Sequence, residues 1–303
     1  GTLTAGEVKS HFSGTLPTVL AGCAPCQPFS SYKQRYDEDP QWNLVASFAR
    51  LATEVEPDFV TMENVPALIK YKEGRVFQDF CETLRGSGYL VAWKIARCEK
   101  FGVPQKRKRL VLVASKKYSI PELKEKNLQY KTVKHAIGNL PPLAAGESDP
   151  NDPLHKAATL SELNIKRIQM SRPGGTWRDW PADLRAACHR RETGLTYPGV
   201  YARMTWDEPS PTMTTQCYGF GNGRFGHPVQ DRAISLREAA ILQSFPKKYK
   251  FLPNNEEIQF KEVGRWIGNA VPVKLAKCIG ESIGASIALG ENEADDGSES
   301  VSV

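Results

Sequence analysis

Short apolar segments alternate with amphipathic helix patterns up to Ser115, and this alternation constrains the fold more than any other feature. The predicted strands cover Pro17–Ala21, Asp58–Glu63, Tyr89–Ala96 and Leu110–Ser115, and the predicted helices cover Gln41–Val55 and Gly74–Arg85. Strands that alternate with helices indicate an α/β fold with a mostly parallel sheet. Ligands bind such sheets at the carboxyl ends of the strands, where the loop after Ala21 and the turn after Glu63 lie.

The two predicted helices each carry an apolar stripe, and regular patterns return near the end of the chain. The stripes consist of Leu44, Phe48, Leu51 and Val55 in one helix and of Val76, Phe80 and Leu84 in the other. Ser235 and Glu238 form a capping box that opens a later helix. Pro272 is predicted to begin a last helix, which Gly290 ends, with the stripe Leu275, Ile279, Ile283 and Ile287. The acidic tail Glu291–Val303 is predicted to be disordered.

Composition excludes several classes of protein. The seven cysteines are an odd number at scattered spacings, which is a poor disulfide framework and favours a reducing compartment. No apolar run approaches the roughly 20 residues that span a bilayer, and Gly1–Ser10 lacks the pattern of a secretory signal. The formal net charge of +6 is modest and does not by itself indicate a nucleic-acid partner.

The stretch AGCAPCQPFS holds Cys23 and Cys26 in a loop after the first predicted strand. A structural zinc site needs a second close pair of ligands, which the chain lacks, so we predict no metal. A redox pair normally opens a helix, whereas Pro25 and Pro28 prolong this loop. Two alternatives remain from the residues alone: small buried side chains, or a nucleophile with a neighbouring cysteine.

A nucleophile needs an acid or base and positive charge nearby, and the sequence offers both. Glu63 stands at the end of the second predicted strand, in MENVPAL. The run from Gln105 to Arg109 leads into the strand RLVLVAS. Strand alternation would place Gln105, Arg107 and Arg109 on one face and the two lysines between them on the other.

Five motifs in order resemble the DNA cytosine-5 methyltransferase family: PCQPFS, ENVPAL, QKRKR before a strand, SLREAAILQSFP and IGNAVPVKLA. The segment Tyr201–Pro228 is also similar to bacterial members, and the resemblance covers Pro17 to Ile287. It implies a Rossmann-like S-adenosylmethionine-dependent methyltransferase fold with a small irregular target-recognition region. The implied parts are a catalytic domain at 1–145, target recognition at 146–230, returning helices at 231–290 and a disordered tail at 291–303.

The resemblance also implies roles for the catalytic residues. Cys26 would be the nucleophile that attacks C6 of cytosine, and Cys23 would be a small packing group. Glu63, with a raised pKa, would stabilise charge at ring atom N3. Arg107 and Arg109 would hold the ring's O2 and the active-site carboxylate or a phosphate. No protein base is assigned to the removal of the C5 proton.

The implied cofactor is S-adenosylmethionine, bound in part by Pro25, Asn269 and Val271. Family members also carry a glycine-rich strand and loop before the Pro-Cys-Gln loop, and no Gly-x-Gly stands in that part of this sequence. We therefore expect a fold truncated at its N-terminus, weak cofactor binding, an exposed sheet edge, and a second polypeptide as a possible partner.

Duplex DNA is the implied substrate, with the target base flipped out of the helix. Asn64 would fix the catalytic loop. Between Ile165 and Arg203, eight cations and three anions carry +5 of the net charge, interleaved with tryptophans, which favours a DNA-binding region. The predicted DNA contacts are Gln27, Ser30, Asn64, Arg172, Arg178, Arg190, Arg191, Arg203 and Arg237.

Three hypotheses follow. The first is a cytosine-5 DNA methyltransferase, intact or split, in the cytosol of a bacterium or phage. The second is a truncated paralogue that binds DNA without turnover. The third, an RNA methyltransferase, ranks last because the Cys-Phe-Thr tripeptide of such members is absent.

Overall fold

The structure, a computed structural model, describes residues 3–25, 29, 42–120, 122–125, 129–196, 198–253 and 256–298, without the side chains of residues 193 and 292–298. Two compact units are present. The first comprises residues 1–97, 108–125 and 277–303, and the second comprises residues 98–107 and 126–276. The predicted boundaries at 145 and 230 differ from this division, which joins the residues from 231 to 276 to the second unit.

The first unit is an α/β layer structure built on one sheet. Its strands lie in the order β1-β2-β4-β3, and among the described residues β1 and β3 form the two edges. The elements are α1 (Ala5–Lys9), β1 (Val19–Gly22), α2 (Asn43–Val55), β2 (Phe59–Asn64), α3 (Arg75–Gly86), β3 (Leu90–Arg97) and β4 (Lys108–Ser115). All six elements predicted up to Ser115 are therefore present, with ends that differ by at most two residues.

The prediction of a mostly parallel sheet is wrong for the described strands beyond the first pair. β1 and β2 are parallel, with Gly22 opposite Met62, whereas β4 is antiparallel to both β2 and β3. A parallel pair needs a crossover of a dozen or more residues, usually a helix. Only the segment from Cys98 to Arg107 joins β3 to β4, so the chain returns in the antiparallel sense.

Helices α2 and α3 pack together in the core of the first unit. The predicted stripe of α3 is buried, together with Phe77 and Cys81. The most buried face of α2 is instead Val45, Ala49, Ala52 and Val55, while Phe48 of the predicted stripe is half-buried. Its ring lies where a Cβ on Gly22 would come within 2.3 Å, so glycine at the end of β1 gives this ring its space.

The second unit has little regular structure around its apolar core. Its elements are α4 (Val133–Ile137), β5 (Ser148–Asp149), β6 (Asp152–Lys156), α5 (Glu162–Gln169), α6 (Leu236–Leu242) and α7 (Phe260–Asn269). The predicted capping box is confirmed: Ser235 accepts from the backbone N–H of Glu238, whose side chain accepts from the backbone N–H of Ser235. This cap begins α6, all of whose residues are buried.

The last helix, α8 (Val273–Ser298), is longer than predicted. It begins directly after Pro272, whose carbonyl oxygen accepts from the N–H groups of Leu275 and Ala276. The predicted end at Gly290 is wrong, because the helix continues to Ser298; the predicted disorder of the tail stays a prediction. A glycine inside a helix costs only about 1 kcal/mol, and the ring of Tyr118 packs against Gly290. No helix among the described residues is both long and apolar enough to cross a membrane.

A buried polar cluster lies beneath α6. Arg232 donates to both carboxylate oxygens of Glu238 at 2.7 and 2.8 Å, and His227 Nε2 lies 3.8 Å from the same carboxylate. Burial lowers the pKa of His227 to about 4, despite the opposite effect of Glu238. Burial alone would raise the pKa of Glu238, but the hydrogen bonds and charge of Arg232 hold it below its ordinary value.

Both shifts predict loss of stability in acid. The unfolded chain protonates His227 near 6.5 but the folded chain only near 4, so the free energy of unfolding falls as the pH falls through this window. Glu238 acts in the same direction at lower pH. We expect a loss at His227 of about 2 kcal/mol between about pH 7.5 and pH 5.

Urea unfolding at the two pH values measures this loss. In the unaltered chain, the backbone N–H groups of Val229 and Gln230 donate to His227 Nδ1. His227→Asn keeps an acceptor for these hydrogen bonds but removes the titrating group, so it should flatten the pH dependence of the free energy of unfolding. Equal pH dependence in the variant and the unaltered chain would contradict the assignment.

Candidate active site

The end of β2 presents two polar side chains that are almost completely buried. Glu63 is 9% exposed and Asn64 is 1% exposed. Asn64 Nδ2 donates to the carbonyl oxygen of Ala24 at 3.1 Å, and Asn64 Oδ1 accepts from the N–H of Val65 at 2.8 Å. The amide thus ties the segment after β1 to the turn after β2. This is the loop-fixing role predicted for Asn64, and it occupies the side chain that was also predicted to contact DNA.

Cys23 is not the small packing group that the sequence suggested. The residue is exposed, and its Sγ lies 3.1 Å from Glu63 Oε2 and 3.2 Å from the Glu63 carbonyl oxygen, so that its single S–H group can donate to either oxygen. The parallel register explains the contact between Cys23 and Glu63. Because Gly22 pairs with Met62, the residues that follow them, Cys23 and Glu63, lie side by side.

Arg109 lies on the other side of the same carboxylate. Its Nε is 2.8 Å from Glu63 Oε1, and both side chains are about nine-tenths buried. The antiparallel register brings them together, because Glu63 of β2 is opposite Val111 of β4 and Arg109 stands two positions away along that strand. The structure thus pairs Arg109 with the Glu63 carboxylate, and a carboxylate was one of the partners expected for the arginines.

The charge environment of Glu63 bears on its predicted raised pKa. A cation and a hydrogen-bond donor beside a carboxylate both stabilise its ionised form, whereas burial destabilises it. Arg109 and Cys23 act in the first direction and the near-complete burial of Glu63 acts in the second. The raised pKa therefore stays a prediction.

Arg107 has a different environment, inside the second unit. Its guanidinium donates to the carbonyl oxygens of Met213 at 2.8 Å and Gly268 at 3.1 Å, and the side chain is buried. These contacts do not support the expected role of Arg107 in holding the ring's O2. The predicted alternation of faces agrees with the burial: Gln105 and Arg107 are buried, and Lys106 between them is exposed.

Gln105 completes a buried network that the sequence did not reveal. Its amide nitrogen donates to Gln243 Oε1 at 2.7 Å, and its oxygen accepts from the N–H of Met213 at 2.9 Å. Gln243 donates in turn to the carbonyl oxygen of Ala270 at 2.6 Å. The network joins four of the motif segments. The only sequence signal was the placement of both glutamines inside motifs.

The three residues predicted to bind the cofactor stand at the ends of elements. Pro25 is exposed in the segment after β1, Asn269 is exposed at the end of α7, and Val271 is half-buried. Within the part of the chain that the structure describes, the Asn269 amide has no hydrogen bond, so its donor and acceptor are available to a polar ligand. A Cβ on the preceding Gly268 would lie 2.4 Å from the backbone of Thr214, so this turn is held tightly against the chain.

The positive region divides into exposed and buried cations. Arg172 pairs with Asp179 at 3.3 Å, Arg178 packs over the ring of Trp177, and Arg190 donates to the carbonyl oxygen of Ala182. All remain exposed. We call the exposed cations the target-recognition surface: Lys166, Arg172, Arg178, Arg190 and Arg191.

Two of the predicted DNA contacts have structural roles instead. Arg203 is buried and donates to four carbonyl oxygens, those of Ile168, Ser171, His227 and Gln230, and to Asp231. Arg237 is also buried and forms an ion pair with Asp152 at 2.6 Å, on the wall of a cavity of about 560 Å³. These guanidinium groups organise the second unit, so a DNA contact by either is not supported. The sequence alone could not show that these two arginines are buried.

Three predicted site residues, Cys26, Gln27 and Ser30, lie outside the described residues. Phe29, which is described, has a buried ring that packs edge-on against Tyr71 at 5.0 Å between centroids. Among the described residues, no group of three or more His, Cys, Asp and Glu side chains is arranged to hold a metal ion.

Comparisons with known proteins agree with the motifs. A family model described as C-5 cytosine-specific DNA methylase matches residues 4–285. The type II methylase M.HgiDII of Herpetosiphon aurantiacus is 47% identical over 279 residues, which are 91% of this chain and 78% of that protein. The type II methyltransferase M1.HphI of Haemophilus parahaemolyticus is 31% identical over 290 residues, which are 93% of this chain and 72% of that protein.

Solved structures share the fold at lower identity. A protein described as a DNA modification methyltransferase encoded within an Escherichia coli prophage superposes with a TM-score of 0.70 at 21% identity, covering 94% of this chain and 84% of that one. The Entamoeba histolytica methyltransferase EhMeth gives a TM-score of 0.59 at 14% identity, covering 93% and 81%. At these identities the likeness supports the α/β fold alone.

The target-recognition surface should carry much of the affinity for DNA. Replacing Arg190 and Arg191 by alanine removes two exposed cations, so it should weaken binding. It should also lower the slope of log affinity against log salt by roughly one for each phosphate that the protein no longer neutralises. Fluorescence anisotropy with a labelled duplex at several salt concentrations measures both quantities.

The matched control is Lys247→Ala with Lys248→Ala, which removes the same charge from exposed residues outside this surface. It should leave the slope close to that of the unaltered chain. Equal changes in both double variants would show that only the overall charge matters.

Proposed function

Because the chain belongs to the C-5 cytosine-specific DNA methylase family, we propose that Cys26, Glu63 and Arg109 carry out the methylation of a flipped-out cytosine in duplex DNA. The chain is a DNA (cytosine-5)-methyltransferase, and the reaction is C5 methylation as in type II modification methylases. The observation that supports the residue roles is the Glu63 carboxylate, which lies between Arg109 and Cys23 close to the segment that leads into Cys26.

The nucleophile makes C5 reactive. Cytosine C5 is a poor nucleophile, so the Cys26 thiolate first forms a bond from sulfur to C6, and the displaced π electrons make C5 enamine-like. C5 would then take the methyl group as its bond to the sulfonium sulfur of the donor breaks and releases a neutral thioether. Loss of the C5 proton to a base regenerates the C5–C6 double bond as the sulfur leaves as a thiolate. No side chain of this protein is assigned as that base.

Glu63 acts on the charge that this addition creates. Attack at C6 pushes electron density toward ring atom N3, where a hydrogen bond from a protonated Glu63 stabilises it. Arg109 holds the carboxylate through Oε1, and Asn64 holds the backbone of Ala24 beside it. The Glu63 carboxylate and the Ala24 backbone are thereby positioned before substrate binds, which reduces the reorganisation needed during the reaction.

The family uses S-adenosylmethionine, which supplies an electrophilic methyl group. Pro25, Asn269 and Val271 are the residues of this chain that we expect to hold it, and the exposed amide of Asn269 fits the polar groups of such a ligand. The expectations of weak cofactor binding by this chain and of a second polypeptide stay predictions.

DNA is the substrate, and its target base must leave the duplex at a cost of a few kcal/mol. We assign phosphate contacts to the target-recognition surface, because the attraction between its cations and the phosphates can offset part of that free-energy cost. The relatives named as type II methylases support a place in a restriction-modification system, in the cytosol of a bacterium or phage. A paralogue that binds DNA without turnover remains the alternative outcome of the experiment below.

The role of Cys26 is tested by covalent trapping on duplex DNA that carries 5-fluorocytosine at the target position, in the presence of S-adenosylmethionine. Fluorine at C5 cannot leave as a proton does, so the adduct with sulfur persists. We expect a stable complex with the unaltered chain on a denaturing gel and none with Cys26→Ser.

Cys188→Ser is the control, because Cys188 is an exposed free cysteine in the second unit. It should trap as the unaltered chain does. Trapping by Cys26→Ser would refute the assignment, and no trapping by any of the three proteins would favour the non-catalytic paralogue.

A further inference from the structure

We propose that Cys23 is a positioning residue, whose thiol fixes the orientation of the Glu63 carboxylate for reaction; this rests on the function proposed above. The two oxygens of that carboxylate have different partners. Arg109 Nε is 2.8 Å from Oε1, and Cys23 Sγ is 3.1 Å from Oε2. The thiol therefore approaches the group from the segment after β1 and the guanidinium from β4, on either side of the end of β2.

Two partners are needed because a carboxylate turns easily about its last bond. The terminal torsion of a glutamate joins tetrahedral to planar carbon and has a broad, roughly two-fold profile. The ion pair with Arg109 Nε at one oxygen does not by itself set the plane of the group. A hydrogen-bond donor at the other oxygen restricts rotation of that plane, and Cys23 supplies one.

The thiol is suited to donate and not to attack. The thiolate is the reactive form of cysteine, and a neighbouring carboxylate disfavours that second negative charge. An S–H group is a weak donor, which is compatible with holding a carboxylate that must itself take part in the reaction. This separates Cys23 from Cys26, although the two stand three residues apart in one loop.

The thiol of Cys23 can be removed by substitution without changing the backbone conformation of the segment after β1. Cys23 is exposed, so a smaller side chain leaves no cavity in the core. The backbone of the next residue, Ala24, is held independently by Asn64 Nδ2 at 3.1 Å. A substitution at Cys23 should therefore change the hydrogen bond to Glu63 and leave the loop in place.

The experiment compares Cys23→Ala with Cys23→Ser in steady-state methylation of a duplex substrate with S-adenosylmethionine. One net hydrogen bond removed from the transition state lowers kcat by about three- to tenfold. We expect this fall in Cys23→Ala with the KM for DNA within about twofold of the unaltered chain. Cys23→Ser should regain most of the rate, because its hydroxyl can donate to the same oxygen.

Other results overturn the proposal. Unchanged kcat in both variants would show that the thiol has no part in the reaction, and an equal fall in both would show that sulfur is needed for its size alone. If Cys23→Ala loses its circular dichroism spectrum, Cys23→Val against Cys23→Thr makes the same comparison, because these side chains share a shape and differ by the hydroxyl.

The trapping assay distinguishes this failure from failure of the proposed function. If Cys26 is the nucleophile, both Cys23 variants still form the adduct on 5-fluorocytosine DNA, with Cys23→Ala slower than Cys23→Ser. Equal trapping rates, with trapping still abolished in Cys26→Ser, would refute the role of Cys23 and leave the function intact.

Discussion

The pairing of β2 with its two neighbours determines where the polar groups of the site meet. β1 runs parallel to β2, so that Cys23 and Ala24, directly after β1, contact Glu63 and Asn64. β4 runs antiparallel to β2 and places Arg109 beside the Glu63 carboxylate. A slip of one residue in either register would turn these side chains to opposite faces of the sheet. The buried strands and their apolar partners thus hold Cys23, Glu63 and Arg109 in their relative positions.

Buried polar side chains organise the second unit in a comparable way. Gln105 and Arg107 bind backbone or side chains of Met213, Gln243 and Gly268, which stand in separate motifs. A buried hydrogen-bond network of this kind favours one arrangement of the chain, because a buried polar group that loses its partner keeps the cost of its desolvation. Hydrogen bonds between buried side chains therefore help to stabilise one arrangement of the second unit, which has few strands.

The sequence predicted the six elements from Pro17 to Ser115, because these depend on local pattern. Motif resemblance gave the carboxylate as one expected partner of the two arginines, of which Arg109 lies beside Glu63. The sequence missed the contact of Cys23, which depends on strand register, and the antiparallel return of β4, which depends on the shortness of one connection. The link from Gln105 to Gln243 spans 138 positions and has no local signal. Arg203 and Arg237 carry the same charge as Arg190, and only the fold separates buried arginines from exposed ones.

The central claim is that the Glu63 carboxyl group takes part in the reaction itself. Glu63→Gln preserves the shape of the side chain and removes its acidity, so single-turnover methylation with the variant in excess over duplex DNA tests the claim most directly. The account predicts a fall in the methylation rate of roughly 10²-fold or more, as for loss of a general acid, with DNA affinity retained. A single-turnover rate equal to that of the unaltered chain would contradict it.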